Sequence, residues 1–319
     1  DQETFMRRYG FDGDTRYKSY IELEKNSENS ISFIEVYNIQ NLDEKSSNNE
    51  PVLAPSISHH IFNSNEKYNY DIKFNAHSIY NDESYDIKRW SGLGKINKQF
   101  SYDNLLLEAD ANIGLDLYSI QGRPSTDSND NRYIDRISSG FSIAASHQYI
   151  LMNESTSLLI EPKIQFSSVF SSDRTDEVPN RDSAEFRLDQ ANLFLNNQFQ
   201  GRDNIQKNNR INLGVTSFVM TENLGDINFF IGQSQKVSGT QKNVTLANED
   251  RQSHIINSID WNPSEMYKFS WFSLYNHHNF KSDTSDFNFN GSFNGWSYSA
   301  NHKSVDGEFI SNNIDREEL

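Results

Sequence analysis

The 319 residues contain no cysteine, so neither a disulfide nor a thiolate metal site can hold this chain together. Apolar residues are scarce at 35%, and the mean hydropathy of −0.77 sits below that of an ordinary globular core. No run approaches the ~20 consecutive apolar residues of a membrane-spanning helix. Positive charge is also short: 29 Lys and Arg face 45 Asp and Glu, for a net charge of −16 and a pI near 4.9. Without concentrated basic residues, nucleic acid is excluded as a partner. What the chain does have is aromatic residues, 13% with 22 Phe and 15 Tyr, which disordered chains lack. Few core residues, many aromatics and an abundance of Asn and Ser fit a sheet with one oily face and one wet face.

Alternation of period two is the clearest pattern. Residues 68–80 place Tyr68, Tyr70, Ile72, Phe74, Ala76, Ser78 and Tyr80 on one face, with Asn69, Asp71, Lys73, Asn75, His77 and Ile79 opposite. Residues 105–117 place Leu105, Leu107, Ala109, Ala111, Ile113, Leu115 and Leu117 on one face. Leu106, Glu108, Asp110, Asn112, Gly114 and Asp116 lie opposite. These runs exceed the ~5–6 residues of a globular strand and match the ~9–11 of a tilted membrane strand. Further strands are expected at 17–23, 31–39, 137–145, 158–170, 184–194, 210–219, 227–233, 253–261, 267–275 and 287–300, roughly a dozen in all. Tyr68, Tyr80, Phe166, Phe170, Trp271, Tyr275, Trp296 and Tyr298 sit near strand ends, as in an aromatic girdle. Ordinary aromatic enrichment in strands is the bland alternative. Polar runs at 82–86, 125–131, 173–181 and 248–252 alternate with tight turns, giving one short-looped and one long-looped rim.

Sharper chemistry finds little support. Asp127 to Asn131 has oxygen ligands at alternate positions but lacks the Gly and closing Glu of a calcium loop. His59-His60 and His277-His278 are adjacent, so in strands each pair points to opposite faces and cannot chelate one ion. Gly92-Leu93-Gly94-Lys95 lacks the context of a phosphate loop. Asn153-Glu154-Ser155 and Asn243-Val244-Thr245 match glycosylation acceptors only in form. No carboxylate pair or nucleophile–base arrangement stands out, so no catalysis, cofactor or metal is expected.

The stretch 178–218 carries a more specific signal. Asp182-Ser183, Phe186, Asp189, Asn192-Leu193-Phe194, Gly201-Arg202-Asp203, Gly214-Val215-Thr216-Ser217 and Ile231-Gly232-Gln233 together resemble the barrel domain of the LptD family. Arg7-Arg8-Tyr9, Pro51 to Pro55, Arg89-Trp90 and Leu159-Ile160-Glu161-Pro162 fit the same order.

The resemblance implies an all-β, antiparallel transmembrane β-barrel of the Gram-negative outer membrane. It implies transport of lipopolysaccharide, with outer-membrane lipid around the wall. The family's partners would be a plug lipoprotein and a periplasmic bridge protein, the latter reached through a jelly-roll domain. Neither that jelly-roll nor the last barrel strands are recognisable, and residues 1–319 are expected to form one partial barrel domain. In that setting Glu108, Asp110, Asn112 and Asp116 face a watery lumen, and Ile113 and its neighbours face acyl chains. A passive porin and a soluble, secreted sugar-binding or adhesin β-protein share the alternation and stand as the alternatives.

Overall fold

A computed structural model describes residues 16–41, 52–64, 68–80, 86–121, 131–172, 177–178, 183, 187–197, 199, 201–239, 251–305 and 316–318. Among them no α-helix forms, and sixteen strands join one antiparallel sheet. The first strands are β1 (Arg16–Ser27), β2 (Ser30–Asn41), β3 (Val52–Ser64), β4 (Asn69–Tyr80) and β5 (Asp86–Tyr102). β6 (Leu105–Gln121), β7 (Arg132–His147), β8 (Tyr149–Met152) and β9 (Thr156–Ser171) follow. The last are β10 (Asn208–Thr221), β11 (Gly225–Gly239), β12 (Ile255–Ser264), β13 (Tyr267–Tyr275), β14 (Ser282–Phe293), β15 (Trp296–Val305) and β16 (Arg316–Glu318). Neighbours in sequence are neighbours in the sheet, with short β8 off the path against β9. Strands of 12 to 17 residues are common, well beyond globular length. Short turns at 28–29, 103–104, 153–155, 222–224, 265–266 and 294–295 alternate with longer connections.

Packing divides the chain into two compact units. The first comprises residues 1–97, 112–139 and 171–179. Its β6 segment has Ile113 63% exposed, Leu115 and Leu117 exposed, and Asp116, Tyr118 and Ile120 buried on the alternate face. That buried face is polar as well as apolar. Arg136 donates to Asp116 (2.8 and 3.1 Å) and to the Tyr118 hydroxyl (2.9 Å). Both charged side chains are completely buried. Ile87, Ile120, Ile134 and Val178 pack around Tyr118.

The second unit comprises residues 98–111, 140–170 and 180–319. It repeats this inside-out pattern. Ile143, Ile164, Leu213 and Ile231 are exposed, while Ser142, Gln165, Asn212 and Ser234 are buried on the opposite face. Water would leave the oily face without a partner, so this distribution suits a sheet whose apolar side meets hydrocarbon.

Several strand expectations change. Residues 267–275 match β13 as read, but 287–300 holds two strands, β14 and β15. Asn294 (φ 49°) and Gly295 (φ 79°) divide them with the left-handed turn that an Asn-Gly pair favours. Gly92 to Lys95 lie inside β5, a strand that the two glycines hide from pattern reading. The expected strand at 184–194 is absent where described: 187–189 have no regular structure and 190–194 run as a turn. His277 and His278 also occupy a turn, and their ring centres lie 3.8 Å apart with the planes tilted by 42°, instead of diverging. Arg7-Arg8-Tyr9, the loop 43–50, Pro51, Asp127 to Asp130, Asn243-Val244-Thr245, Pro179 to Asp182 and Phe186 fall outside the described residues.

Candidate functional site: an inward segment and its seat

The connection between β9 and β10 folds onto the covered face of the second unit. Local chemistry explains why residues 187–194 leave the ladder. The Asp189 carboxylate accepts from the backbone N–H of Ala191 (2.8 Å) and Asn192 (2.9 Å). The Asn192 side chain replies, accepting from Asp189 N–H (2.9 Å) and donating to the Arg187 carbonyl (2.7 Å). Leu193 N–H closes the turn on the Asp189 carbonyl (3.0 Å). Asx side chains bonded to nearby backbone offer an alternative to strand pairing.

The turn delivers Leu193 and Phe194 to a gap in the wall. Gly214 of β10 and Gly232 of β11 stand directly opposite each other. A Cβ on Gly232 would lie 2.6 Å from Leu193 Cδ2 and 2.7 Å from Phe230 Cζ. On Gly214 it would lie 3.0 Å from both the Phe194 and Phe230 rings. Leu193 is fully buried, and with Leu188 it joins Phe230, Ile256 and Leu274, against which Phe194 and Phe272 pack. Burying a Leu side chain fully is worth ~1.5–3 kcal/mol, so this cluster anchors the segment.

Polar groups hold its backbone. Gln165 donates to the Phe194 carbonyl (2.9 Å), and Ser167 donates to the Asn196 side chain (2.9 Å). The buried Arg210 guanidinium binds the Leu195 and Asn196 carbonyls and the Gln206 side chain. Behind them runs a lattice across strands: Ser234 to Asn212 (2.6 Å), Asn212 to Gln165 (2.7 Å), Gln165 to Ser142 (3.3 Å) and Ser142 to Asp110 (3.4 Å). Lys163 pairs with Glu108 and lies 5.1 Å from the Phe194 ring centre. Arg187 sits over the Phe272 ring at 4.2 Å and pairs with Asp286.

The residues singled out by sequence therefore have distinct places. Asp189, Asn192, Leu193 and Phe194 form the turn and its anchor, and Gly214 and Gly232 form the gap. Ser183 accepts from Asn204 N–H (2.9 Å), Gly201 takes a left-handed bend (φ 76°), and Asp203 is buried. Gln233 lies away from the segment and donates to the Ser253 carbonyl (2.9 Å). Glu108 and Asp110 belong to the covered face of the second unit, and Asn112 and Asp116 to that of the first. Asp182 and Phe186 lie outside the described residues. Sequence reading missed Gln165, Arg210, Asn212 and Ser234. Their signal was present in Lys163-Gln165-Ser167 and Asn208-Arg210-Asn212, polar residues at every second position of two strands.

Among the described residues no group of His, Asp and Glu is placed to hold a metal ion. The arrangement is a hydrogen-bonded support with an apolar anchor, suited to holding shape.

Comparison with known proteins supplies the identity. A family model described as "LptD: LPS transport system D" matches residues 3–317. No curated protein matches the chain. Among solved structures, the RagAB peptide importer in its 'open-open' state is similar, with a TM-score of 0.43 and 9% identity. The similarity covers 90% of this chain and 43% of that one, so the chain spans under half the length of that protein.

Proposed function

The chain belongs to the LptD family, and from that premise we propose that it forms part of the outer-membrane wall through which lipopolysaccharide reaches the cell surface. The family is one of outer-membrane lipopolysaccharide transport, and the outer membrane is where this chain resides. Residues 1–319 act as a single partial barrel domain in this reading. Lipopolysaccharide is the substrate, and a plug lipoprotein and a periplasmic bridge protein are the partners. Transport here needs no catalytic residue of the chain.

The carrying observation is the inside-out distribution of side chains. Ile113, Ile164, Leu213 and Ile231 are exposed, while Asp116, Gln165, Asn212 and Arg210 are buried on the opposite face. A bilayer satisfies the first set, and a hydrated interior satisfies the second. Glu108, Asp110, Asn112 and Asp116 then line the interior, where amides and carboxylates suit sugars in passage.

A Gram-negative strain depleted of its own LptD and supplied with the gene for this protein tests the proposal. Surface lipopolysaccharide, read by antibody on intact cells, is expected to be restored. Ion conductance in planar bilayers without restored lipopolysaccharide would favour a passive pore.

A further inference from the structure

The exposed, apolar face of the first unit carries a polar patch close to its short turns. Register fixes the face, because paired residues and every second residue of a strand share one side of a sheet. One row aligns Ser27, Ser30, Ile61, Ile72 and Gly94. Its end meets Ile113, whose Cγ2 would be 3.8 Å from a Cβ on Gly94, so this row lies on the apolar side. The next row away from the turns aligns Lys25, Ser32, His59 and Phe74. Beyond it Leu23, Ile34 and Ile57 are aligned, and all three are exposed.

Ionisable groups on a face that meets lipid are costly and mark function. Lys25 is exposed and has no hydrogen-bond or ion-pair partner among the described residues. His59 Nδ1 lies 2.8 Å from Ser32 Oγ, and its Nε2 has no partner among the described residues. The pair holds two donors, the serine O–H and an imidazole N–H, and their single bond uses one. One donor is left over whichever tautomer is present.

Neighbouring carboxylates do not neutralise the patch. Glu22, Glu24 and Glu35 lie on the opposite face, where Glu35 pairs with Lys18. Asp71 lies there too, bonded to His60 (2.9 Å). Glu28 stands in the turn, three residues further from the apolar rows than Lys25.

Depth and chemistry together select the occupant. At ~3.4 Å per residue, the Lys25 row lies about 10 Å along the strand from the 28–29 turn. That is the depth at which headgroups give way to hydrocarbon. Short turns mark the periplasmic side of a bacterial outer-membrane barrel, so the leaflet is the inner one. Three rows then match three parts of one lipid. Leu23, Ile34 and Ile57 suit acyl chains, and Lys25 with the leftover donor of Ser32 and His59 suits a phosphodiester through charge-assisted hydrogen bonds. Ser27 and Ser30 suit a hydroxyl-bearing headgroup. A bare anion makes no use of the apolar row, and an ammonium headgroup finds no carboxylate in either polar row.

We propose that Lys25, Ser32 and His59 hold the phosphodiester of an anionic glycerophospholipid of the inner leaflet, with its hydroxylated headgroup against Ser27 and Ser30. The site stands outside the lipopolysaccharide route and rests only on the reading that hydrocarbon covers this face.

The test is native mass spectrometry of the full chain in detergent, titrated with dioleoyl phosphatidylglycerol or with dioleoyl phosphatidylethanolamine. The wild-type chain is expected to bind the first about tenfold more tightly, the worth of a charge-assisted contact. K25Q is expected to lose that preference, as is S32A/H59F. If S32A/H59F fails to fold, K25Q still decides, because Lys25 is exposed. K73Q, changed on the opposite face beside His60, is expected to bind as wild type. Equal binding of the two lipids by the wild type, an unchanged preference in every folded variant, or displacement of the lipid by inorganic phosphate would overturn the proposal. Insertion into vesicles and restoration of surface lipopolysaccharide are scored separately. A wild-type chain that inserts without lipid preference loses the site alone, one that does not insert loses the membrane-facing surface with it, and failed restoration alone removes only the transport reading.

Discussion

Asp189 and Asn192 cap each other: the carboxylate of the first accepts the backbone N–H of the second, and the carboxamide of the second accepts the backbone N–H of the first. This reciprocal pair turns the chain inward at the point where it would otherwise continue as a strand. Asp189→Ala is expected to destabilise by ~1–2 kcal/mol, the usual worth of such a cap. Asn192→Asp keeps an acceptor but loses the donor to the Arg187 carbonyl and sets two carboxylates together, so it should cost at least as much. Guanidinium unfolding midpoints of the detergent-solubilised protein check both.

Gly232 and Leu193 share one space. Gly232→Ala is expected to cost ~1–3 kcal/mol by overpacking, because its Cβ would meet Leu193 Cδ2 at 2.6 Å. Leu193→Ala alone leaves a cavity and is expected to cost ~2–5 kcal/mol. Combined, the two should cost less than their sum, with a coupling of ~0.5–3 kcal/mol in a double-mutant cycle. Strict additivity would mean that the segment does not sit in the gap.

The Arg136–Asp116 pair is expected to show the asymmetry of a buried ion pair. Arg136→Met alone strands a buried carboxylate and should destabilise by ~3–5 kcal/mol. Arg136→Met with Asp116→Leu removes both charges and should recover most of that loss. Unfolding midpoints of the two variants, compared under one condition, decide the matter.

Faces of opposite character predict opposite tolerance. Ile113→Arg places a charge on the exposed apolar face, at an expected ~2–4 kcal/mol near the midplane of a bilayer. Asn112→Arg, one residue away on the other face, should assemble almost normally. Heat-modifiable mobility of the outer-membrane fraction on gels distinguishes them.

How much of this was legible beforehand varies by residue for physical reasons. The two faces of β6 could be read directly, because Leu105 to Leu117 alternates without a break and strand geometry converts alternation into sides. The 294–295 turn could have been read too, since Asn-Gly is a strong hairpin signal, but Trp296 and Tyr298 extended the aromatic pattern across it. The inward segment was harder. Phe194 and its apolar neighbours look strand-like, and only the three-residue spacing of Asp189 and Asn192 marks a self-capping turn. The partners of that turn, Gln165 and Arg210, are 29 and 14 to 15 residues away from the carbonyls they bind. No local pattern announces a contact of that kind. The facing of Gly214 and Gly232 likewise depends on register, which the sequence of either strand alone does not specify.

The central claim is that hydrocarbon covers the apolar face. Because the chain has no cysteine, Ile113→Cys and Asn112→Cys each give a unique site for a fluorescent label. The decisive measurement is quenching of the two labels in vesicles of brominated-acyl lipids, with aqueous iodide as the second quencher. Strong quenching by bromine at position 113, and at position 112 quenching by iodide but little by bromine, is the expected result. Equal quenching at both positions, or the reverse order, would contradict the account.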